Sequence, residues 1–297
     1  MYPLIFLLYI INIMNNKNIG FIGAGFMGYG MAHNLLKNNY SLSVIAHKNR
    51  NPIEKLILQG AKEASNLMEI ASNNIIIQCV TNTSVAVEIA KNILPYLKTN
   101  TMFIDITTHH SKGSLEIYDI LKIKNIRYVE SPVMGGPIQS EQGILGAIVG
   151  TEKNNFEDAK NILLNFCKEV FYFGKIGIGA KTKLISNFLS LGTATFVIET
   201  LKAANHLNID LNKLYDVAKL GSGNSGALKR IADKVIEDDY KGYIFTVNNT
   251  LKDFTYINEL LKDLPNAERL SRLIKSFYKE AADNGKGDLL ISELIKE

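Results

Sequence analysis

The chain has 297 residues, of which 46% are hydrophobic and 21% charged, and its formal net charge is +4. A chain of this length is longer than one hydrophobic core usually serves, so two domains are expected. Its basic residues are scattered rather than gathered into runs, which argues against nucleic acid or a membrane surface as a partner.

The two cysteines, Cys79 and Cys167, lie in apolar stretches with no CxxC or Cys/His spacing around them. This usage predicts buried free thiols in a reducing compartment. We therefore expect a cytoplasmic protein without a structural disulfide or a zinc site.

The first fourteen residues are almost entirely apolar. They are too few to span a bilayer, and they lack the basic leading region and the cleavage site of a signal peptide. We interpret residues 1–17 as an N-terminal extension that a mis-assigned start codon would explain, with a genuine extra hydrophobic segment as the alternative.

From residue 19 to about residue 174, short apolar runs alternate with amphipathic stretches. This alternation is typical of βα units that feed a mostly parallel sheet, and it predicts a Rossmann-type α/β domain over residues 18–178. Helices are expected at residues 28–38, 52–59 and 84–97. The predicted strands, all rich in β-branched side chains, are 19–22, 42–46, 75–79, 101–105, 126–129 and 145–149.

Residues 180–297 show helical periodicity and no further strand runs, which predicts an all-α C-terminal domain over residues 179–297. Its first helix, expected at about residues 179–207, is apolar on more than one face. Such a helix is typically buried against another domain or subunit. A homo-oligomer, either a dimer or a tetramer, is therefore expected.

A GxGxxG motif at residues 23–28 follows the first predicted strand and precedes a predicted helix. In a dinucleotide site Gly23 would form the tight turn, Gly25 would let the backbone approach a pyrophosphate, and Gly28 would allow the helix to pack closely on the strand. Phe26 and Met27, between these glycines, begin the helix whose N-terminus would receive the phosphates. Glycines in a plain turn are the alternative, which the flanking strand and helix disfavour.

The second predicted strand ends in a loop that contains His47, Lys48 and Arg50 and no carboxylate. An NAD site normally offers an acidic residue here to the adenosine ribose, whereas basic side chains can bind a 2′-phosphate. NADP is therefore the expected cofactor and NAD the second choice; a merely solvated basic loop is the alternative. The predicted cofactor site also includes Val80 and Thr81, after the third strand.

Five sequence blocks together resemble a known family. Residues 22–35, IGAGFMGYGMAHNL, are similar to the opening signature of the 3-hydroxyisobutyrate dehydrogenase family, a group of β-hydroxyacid dehydrogenases with 6-phosphogluconate dehydrogenase as a larger relative. The resemblance extends over residues 19–292. The other blocks are DITT at residues 105–108, SPVMGGP at 131–137, GIGAKTKLISN at 177–187 and LKDF at 251–254.

The resemblance implies roles for several residues. Thr108 would approach the nicotinamide riboside and border the substrate, and Lys252 would lie beside the cofactor. The SPVMGGP block would form the substrate loop. Here the backbone N–H groups of Gly135 and Gly136 are natural binding points for a substrate carboxylate, although a plain sharp turn is the alternative.

Lys183 and Asn187 are four residues apart on the predicted helix and therefore share a face, whereas Lys181 points elsewhere. A carbonyl that is being reduced needs a proton and a carbinol that is being oxidised must lose one, so Lys183 is the predicted general acid/base. Desolvation can bring a lysine pKa toward neutrality for this purpose. Asn187 would hold the substrate's hydroxyl or carboxylate. An ordinary surface lysine is the alternative.

Two positions depart from the family pattern: Met134 replaces its usual serine, and Ser186 replaces the first residue of its Asn-Asn pair. Because a thioether cannot donate a hydrogen bond, Met134 suggests a larger or more apolar substrate. The adjacent His109 and His110 could suggest a metal or acid-base role, but solvated or helix-capping histidines are the favoured interpretation, and no metal is expected.

The sequence thus predicts an NADP-dependent oxidoreductase that interconverts a small β-hydroxy acid and its oxo or semialdehyde form, with a small carboxylic substrate as its partner. An imine reductase is one alternative, but its relatives generally carry aspartate or tyrosine where Lys183 stands. A catalytically silent nucleotide-binding scaffold is the other.

Overall fold

The computed structural model describes residues 18–47 and 49–296. The predicted extension at residues 1–17 and Lys48 of the predicted basic loop lie outside the described residues. Packing divides the chain into two compact units, one ending at Lys183 and one beginning at Leu184. This division falls within a helix, so the boundary after residue 178 stays a sequence-based prediction.

The first unit contains a nine-stranded sheet with the order β3-β2-β1-β4-β5-β6-β8-β7, in which β9 also pairs with β8. β1 to β6 are parallel, β8 is antiparallel to β6 and β7, and β9 is parallel to β8. The strands are β1 Asn18–Ile22, β2 Ser41–Ile45, β3 Lys62–Ala64, β4 Ile75–Gln78, β5 Met102–Asp105, β6 Arg127–Glu130, β7 Val133–Met134, β8 Leu145–Thr151 and β9 Cys167–Gly174.

All six predicted strands are present, and the mostly parallel α/β architecture is confirmed. Three strands, β3, β7 and β9, are absent from the predicted set, and the first two share a cause. β3 has two exposed polar residues in a length of three, and β7 has only two residues, so neither carries an apolar run. Both are held by their neighbours in the sheet rather than by local preference.

Among the described residues between β1 and β9, seven helices flank this sheet. They are α1 Phe26–Lys37, α2 Asn51–Leu58, α3 Leu67–Ala71, α4 Thr83–Ile93, α5 Ser111–Lys122, α6 Pro137–Glu141 and α7 Phe156–Leu163. The helix predicted at 84–97 is α4, and it ends in a 3-10 turn at Leu94–Tyr96. Pro95 explains this ending, because its ring leaves no N–H for the α-helical ladder.

The central strands are buried on both faces, which is why their sequences are continuously apolar. Successive side chains of a strand point to opposite faces, so Ile75 and Ile77 join the hydrophobic core on one side of the sheet and Ile76 joins the core on the other. Phe103 on β5 packs with Ile76, while its neighbour Ile104 packs with Ile77. Helices therefore cover both sides of the sheet.

The second unit is helical, as predicted, with its own hydrophobic core. After β9 the described residues contain no strand, only an isolated bridge between Thr246 and Leu290. The helices from β9 onward are α8 Ile178–His206, α9 Leu211–Ala218, α10 Gly226–Val235, α11 Val247–Leu260 and α12 Pro265–Ala281, followed by a π turn at Ala282–Lys286 and a 3-10 helix at Ile291–Lys296.

Among the described residues, one helix, α8, is long and apolar enough to cross a membrane by length and composition alone. Half of its most apolar window is buried inside the protein. A buried core helix passes the same test, so this feature is weak evidence for a membrane span.

The core of the helical unit contains a polar pair, Tyr278 and Thr195, whose hydroxyl oxygens are 2.7 Å apart. The Thr195 hydroxyl donates to the carbonyl of Leu191, so the Tyr278 hydroxyl is the donor to Thr195. Burial raises the pKa of Tyr278 and keeps its proton in place. The pair therefore satisfies a phenol that is only 2% exposed.

We expect Thr195→Val to lower the free energy of unfolding by about 1–3 kcal/mol, because it leaves the buried Tyr278 hydroxyl without its acceptor. In a Tyr278→Phe background the same change should cost much less. Chemical denaturation of the four variants measures this coupling. Equal losses in the two backgrounds would show that the hydrogen bond contributes nothing.

Candidate active site

The glycine motif forms the turn between β1 and α1. Gly23 has φ +96, and a Cβ there would overlap the carbonyl of Cys79, so the turn requires glycine. A Cβ at Gly28 would overlap the carbonyl of Gly23, which is the close helix-on-strand approach that the motif predicts. At Gly25 a Cβ would meet no atom within 4 Å, so open space adjoins the backbone at the start of α1.

Gly25 is the N-cap of α1, and no side chain caps the helix. Phe26 is 84% exposed and Met27 is partly exposed. The first N–H groups of a helix have no partner within the helix, and together with the helix dipole they favour an anion. The backbone at residues 25–28 therefore fits a pyrophosphate group.

The basic loop follows β2. His47 and Arg50 are both exposed. The Arg50 guanidinium is 3.0 Å from a Glu63 carboxylate oxygen on β3 and 3.6 Å from Glu54 on α2. Arg50 thus already has two carboxylate partners, and a phosphate would compete with them at a solvent-exposed position.

The strands β4 and β5 end beside each other, and the residues that follow them meet at this edge of the sheet. The N–H of Val80 donates to the Thr107 hydroxyl at 3.1 Å. Thr81 is exposed and Thr108 is partly exposed, so both have access to solvent at this edge.

A buried Asp105–His109 pair organises the turn that carries Thr108. The Asp105 carboxylate accepts from the Thr107 N–H at 3.0 Å and lies 2.9 Å from His109 Nε2, and the His109 ring also contacts the Thr83 hydroxyl at 3.3 Å. His109 is only 1% exposed, so the solvated interpretation is wrong for this residue. His110 caps α5 by accepting the Gly113 N–H at 3.1 Å, in agreement with the capping interpretation.

The predicted substrate loop joins β6, β7 and α6. Gly135 is exposed with φ +118. The N–H of Gly136 donates to Gln139 Oε1 at 2.9 Å, so one of the two predicted carboxylate donors already has an acceptor within the protein.

The Lys183 side chain points at this same loop. Lys183 is 8% exposed, and its ammonium donates to the Val133 carbonyl at 2.8 Å and lies 3.4 Å from the Met134 sulfur. Lys181 is exposed. The first unit therefore brings a buried amine to the segment that also contains Gly135.

In the second unit, Asn187 is 5% exposed and its amide donates to an Asp253 carboxylate oxygen at 2.6 Å. The other oxygen of Asp253 is 3.1 Å from the Lys252 ammonium. Asp253 is almost completely buried and joins Asn187 on α8 to Lys252 on α11. Ser186 is partly exposed.

The polar partners of predicted residues that were not identified from the sequence include Asp105, Asp253 and Gln139, besides Glu54 and Glu63. Asp105 and Asp253 lie within two of the blocks that resemble the family, DITT and LKDF, so the sequence did contain a signal for both residues. Gln139 had no such signal, because a glutamine in a loop has no distinctive spacing. Within residues 18–47 and 49–296, no group of three or more His, Cys, Asp or Glu side chains is arranged to hold a metal ion.

Comparison with known families and proteins agrees with this geometry. Residues 18–174 match the family model of the NAD binding domain of 6-phosphogluconate dehydrogenase. Residues 177–297 match the family model described as NAD-binding of NADP-dependent 3-hydroxyisobutyrate dehydrogenase.

Among individual relatives, glyoxylate/succinic semialdehyde reductase 1 of Arabidopsis thaliana is 26% identical over 94% of this chain and 97% of its own length. The 2-(hydroxymethyl)glutarate dehydrogenase of Eubacterium barkeri is 27% identical over 75% of this chain and 76% of its own. The crystal structure of 3-hydroxyisobutyrate dehydrogenase from Salmonella typhimurium superposes with a TM-score of 0.85 at 23% identity, covering 94% of this chain and 99% of that one, which shows the same fold. The chain belongs to the 3-hydroxyisobutyrate dehydrogenase family and is an NAD(P)-dependent β-hydroxyacid dehydrogenase.

Proposed function

We propose that this enzyme uses NADP to interconvert a small β-hydroxy acid and its oxo or semialdehyde form, with Lys183 as the general acid/base. The observation that carries the proposal is the buried Lys183 ammonium, 2.8 Å from the Val133 carbonyl in the loop that also contains Gly135 and Gly136. An ammonium that is 8% exposed has given up most of its hydration, which is costly unless the position has a purpose or strong partners.

The backbone of the glycine turn supports dinucleotide binding, because the space that a Cβ at Gly25 would enter is open. Gly23, Gly25, Phe26, Met27 and Gly28 would hold the pyrophosphate at the N-terminus of α1. When bound, the nicotinamide supplies the hydride for reduction and accepts it in oxidation. Val80, Thr81 and Thr108, at the ends of neighbouring strands, would border the rest of the cofactor, and Lys252 is a further proposed cofactor residue.

The proton chemistry is assigned to this chain's own residues. In reduction, the Lys183 ammonium donates a proton to the substrate's carbonyl oxygen as that oxygen gains negative charge, and in oxidation the neutral amine removes the hydroxyl proton. The exposed N–H of Gly135 is the better of the two candidate donors to the substrate carboxylate, because Gly136 already donates to Gln139. Asn187, held by Asp253 at 2.6 Å, would bind the substrate's hydroxyl or carboxylate in a fixed orientation.

The preference for NADP rests on the loop after β2, where His47 and Arg50 are exposed and a carboxylate that would repel a 2′-phosphate is missing from residues 46–50. The Glu63 and Glu54 carboxylates hold Arg50 at this position, and a dianionic phosphate would outcompete an exposed ion pair.

Two neighbouring functions are less well supported. An imine reductase of this fold generally has aspartate or tyrosine at the position of Lys183, and a silent scaffold would have no need for a desolvated amine at the substrate loop. A scaffold would bind the nucleotide without turning over any substrate, so NADPH consumption with semialdehyde acids separates it from an enzyme.

A homo-oligomer in the cytoplasm completes the proposal. Ile185, Leu189 and Phe196 form one exposed apolar stripe on α8, with exposed fractions of 47%, 73% and 66%. A stripe of this kind suits a second copy of the chain. Cys167 is a buried free thiol, and burial raises its pKa to about 12 and leaves it unreactive.

Lys183→Ala should lower kcat for semialdehyde reduction by about 10²–10⁴-fold while NADPH still binds, because it removes the proton donor and leaves the glycine turn intact. NADPH consumption is measured with a series of short semialdehyde acids, and NADPH affinity by fluorescence titration. Lys181→Ala, two residues away and exposed, is the matched control and should behave as wild type. Wild-type turnover in Lys183→Ala would refute the assigned role.

Arg50→Ala should raise the KM for NADPH about tenfold and leave the KM for NADH unchanged, because only NADPH carries the 2′-phosphate. Arg127→Ala removes another surface arginine with a carboxylate partner, Asp158, and serves as the control. Equal effects on both cofactors would rule out phosphate recognition by Arg50.

Phe196→Asp should convert the oligomer to monomers, because a charge within the apolar stripe cannot be desolvated without great cost. Mass from light scattering after size exclusion measures the change. Leu58→Asp, at a residue that is 88% exposed on α2, is the control and should keep the wild-type mass. If wild type is itself monomeric, the oligomer proposal fails.

A further inference from the structure

A buried carboxylate at the end of β6 holds the start of the helix that carries Lys183. Glu130 Oε1 accepts the N–H of Gly177 at 2.6 Å and the N–H of Gly179 at 2.7 Å. Glu130 is 0% exposed. One bond reaches the residue just before α8 and the other reaches its first turn, each across nearly fifty residues of sequence. The carboxylate therefore acts as a helix cap supplied from elsewhere in the fold.

The Glu130 carboxylate is packed tightly against two glycines, Gly150 and Gly179. A Cβ at Gly150 on β8 would overlap Glu130 Oε1, and a Cβ at Gly179 would lie 3.0 Å from the same oxygen and 3.0 Å from the Gly150 N–H nitrogen. The strand β8 and the start of α8 can approach Glu130 this closely only because both positions are glycine. A shift of the helix start would break both hydrogen bonds or collide with β8.

Glu130 and the lysine's own partner lie on the same short segment. Three residues after Glu130, the Val133 carbonyl accepts from the Lys183 ammonium at 2.8 Å. Gly179 and Lys183 are four residues apart in α8, so they lie on one face of the helix, one turn apart. Residues 130–133 thus contact this face twice, once at the backbone and once at the ammonium, and together the contacts oppose both sliding and rotation of the helix.

We propose that Glu130 is a positioning residue for Lys183. It holds the start of α8 so that the ammonium lies beside the Val133 carbonyl of the proposed substrate loop. The inference rests on the proposed role of Lys183. The positioning role requires an acceptor oxygen within hydrogen-bond distance of the two N–H groups. It does not require the negative charge, because both N–H groups are neutral donors. Burial raises the pKa of Glu130, and the hydrogen bonds from the backbone N–H groups partly oppose this shift.

Three substitutions of Glu130 differ in whether they keep an acceptor oxygen at the original position. Glu130→Gln keeps an oxygen at the same distance, Glu130→Asp keeps the carboxylate but withdraws it by one methylene, and Glu130→Ala removes the acceptor. We expect kcat to be highest in wild type, within about threefold of it in Glu130→Gln, and lower by about 10–100-fold in Glu130→Asp and Glu130→Ala, since a displacement of about 1 Å can cost about 10²-fold. The NADPH dissociation constant should stay within about twofold of wild type in all three.

Thr151→Val is the matched structural control. Thr151 is buried on β8, and its hydroxyl donates to the Tyr128 carbonyl on β6 at 2.8 Å, so the change removes a buried hydrogen bond between the same two strands without touching α8. It should lower the melting temperature and leave kcat unchanged. Because Glu130→Gln and Glu130→Asp are both conservative, their comparison still decides the matter if Glu130→Ala does not fold.

The inference would be overturned by wild-type kcat in Glu130→Asp, or by kcat losses that follow the melting temperature across all variants including Thr151→Val. A higher kcat in Glu130→Asp than in Glu130→Gln would also overturn the inference, because the charge and not the position of the oxygen would then matter. Lys183→Ala is assayed in parallel. If Lys183→Ala keeps wild-type turnover, the proposed function fails; if it loses turnover while the Glu130 variants do not, only the positioning role fails.

Discussion

The contact between the Lys183 ammonium and the Val133 carbonyl, at 2.8 Å, is the constraint on which the rest of the candidate site depends. A buried ammonium needs acceptors, and the Val133 carbonyl keeps the amine beside the proposed substrate loop. The helix must start at a fixed place for this contact to form. Glu130 and the glycines around it supply that fixed place, so the chemistry of one side chain depends on the packing of a strand end against a helix start.

The parallel sheet explains why the candidate site is assembled where it is. In a sheet of this order, the carboxyl ends of β1, β4, β5 and β6 lie at one edge, and the loops that leave them carry the glycine turn, Val80, Thr108 and the substrate loop. Ligands of open α/β sheets bind at this edge. Strand pairing thereby makes neighbours of residues far apart in sequence, and side-chain contacts such as that of His109 with Thr83 join the loops further.

Buried carboxylates recur as organisers of the candidate site residues. Asp105 fixes the turn before Thr108, Glu130 fixes the first turn of α8, and Asp253 fixes Asn187. Each acid is at most 1% exposed and accepts hydrogen bonds from the group that it orients. Accepting these bonds offsets part of the cost of burying a carboxylate, and it limits each oriented group to a single arrangement.

The elements that sequence alone predicted correctly are those governed by local rules. Apolar runs with β-branched residues identified the strands from β1 to β8 apart from β3 and β7, and the helical period identified the all-α half. The roles of Gly23 and Gly28 followed from backbone geometry within one turn. Family membership was predicted from five short blocks, each of which is contiguous in sequence.

In contrast, the partners of Arg50, Gly136 and Asn187, and the burial of His109, depend on residues that only folding brings close. The clearest case is Glu130, which lies forty-nine residues before Gly179: no local pattern marks it as a helix cap, since its hydrogen bonds form only when β6, β8 and the start of α8 have packed together.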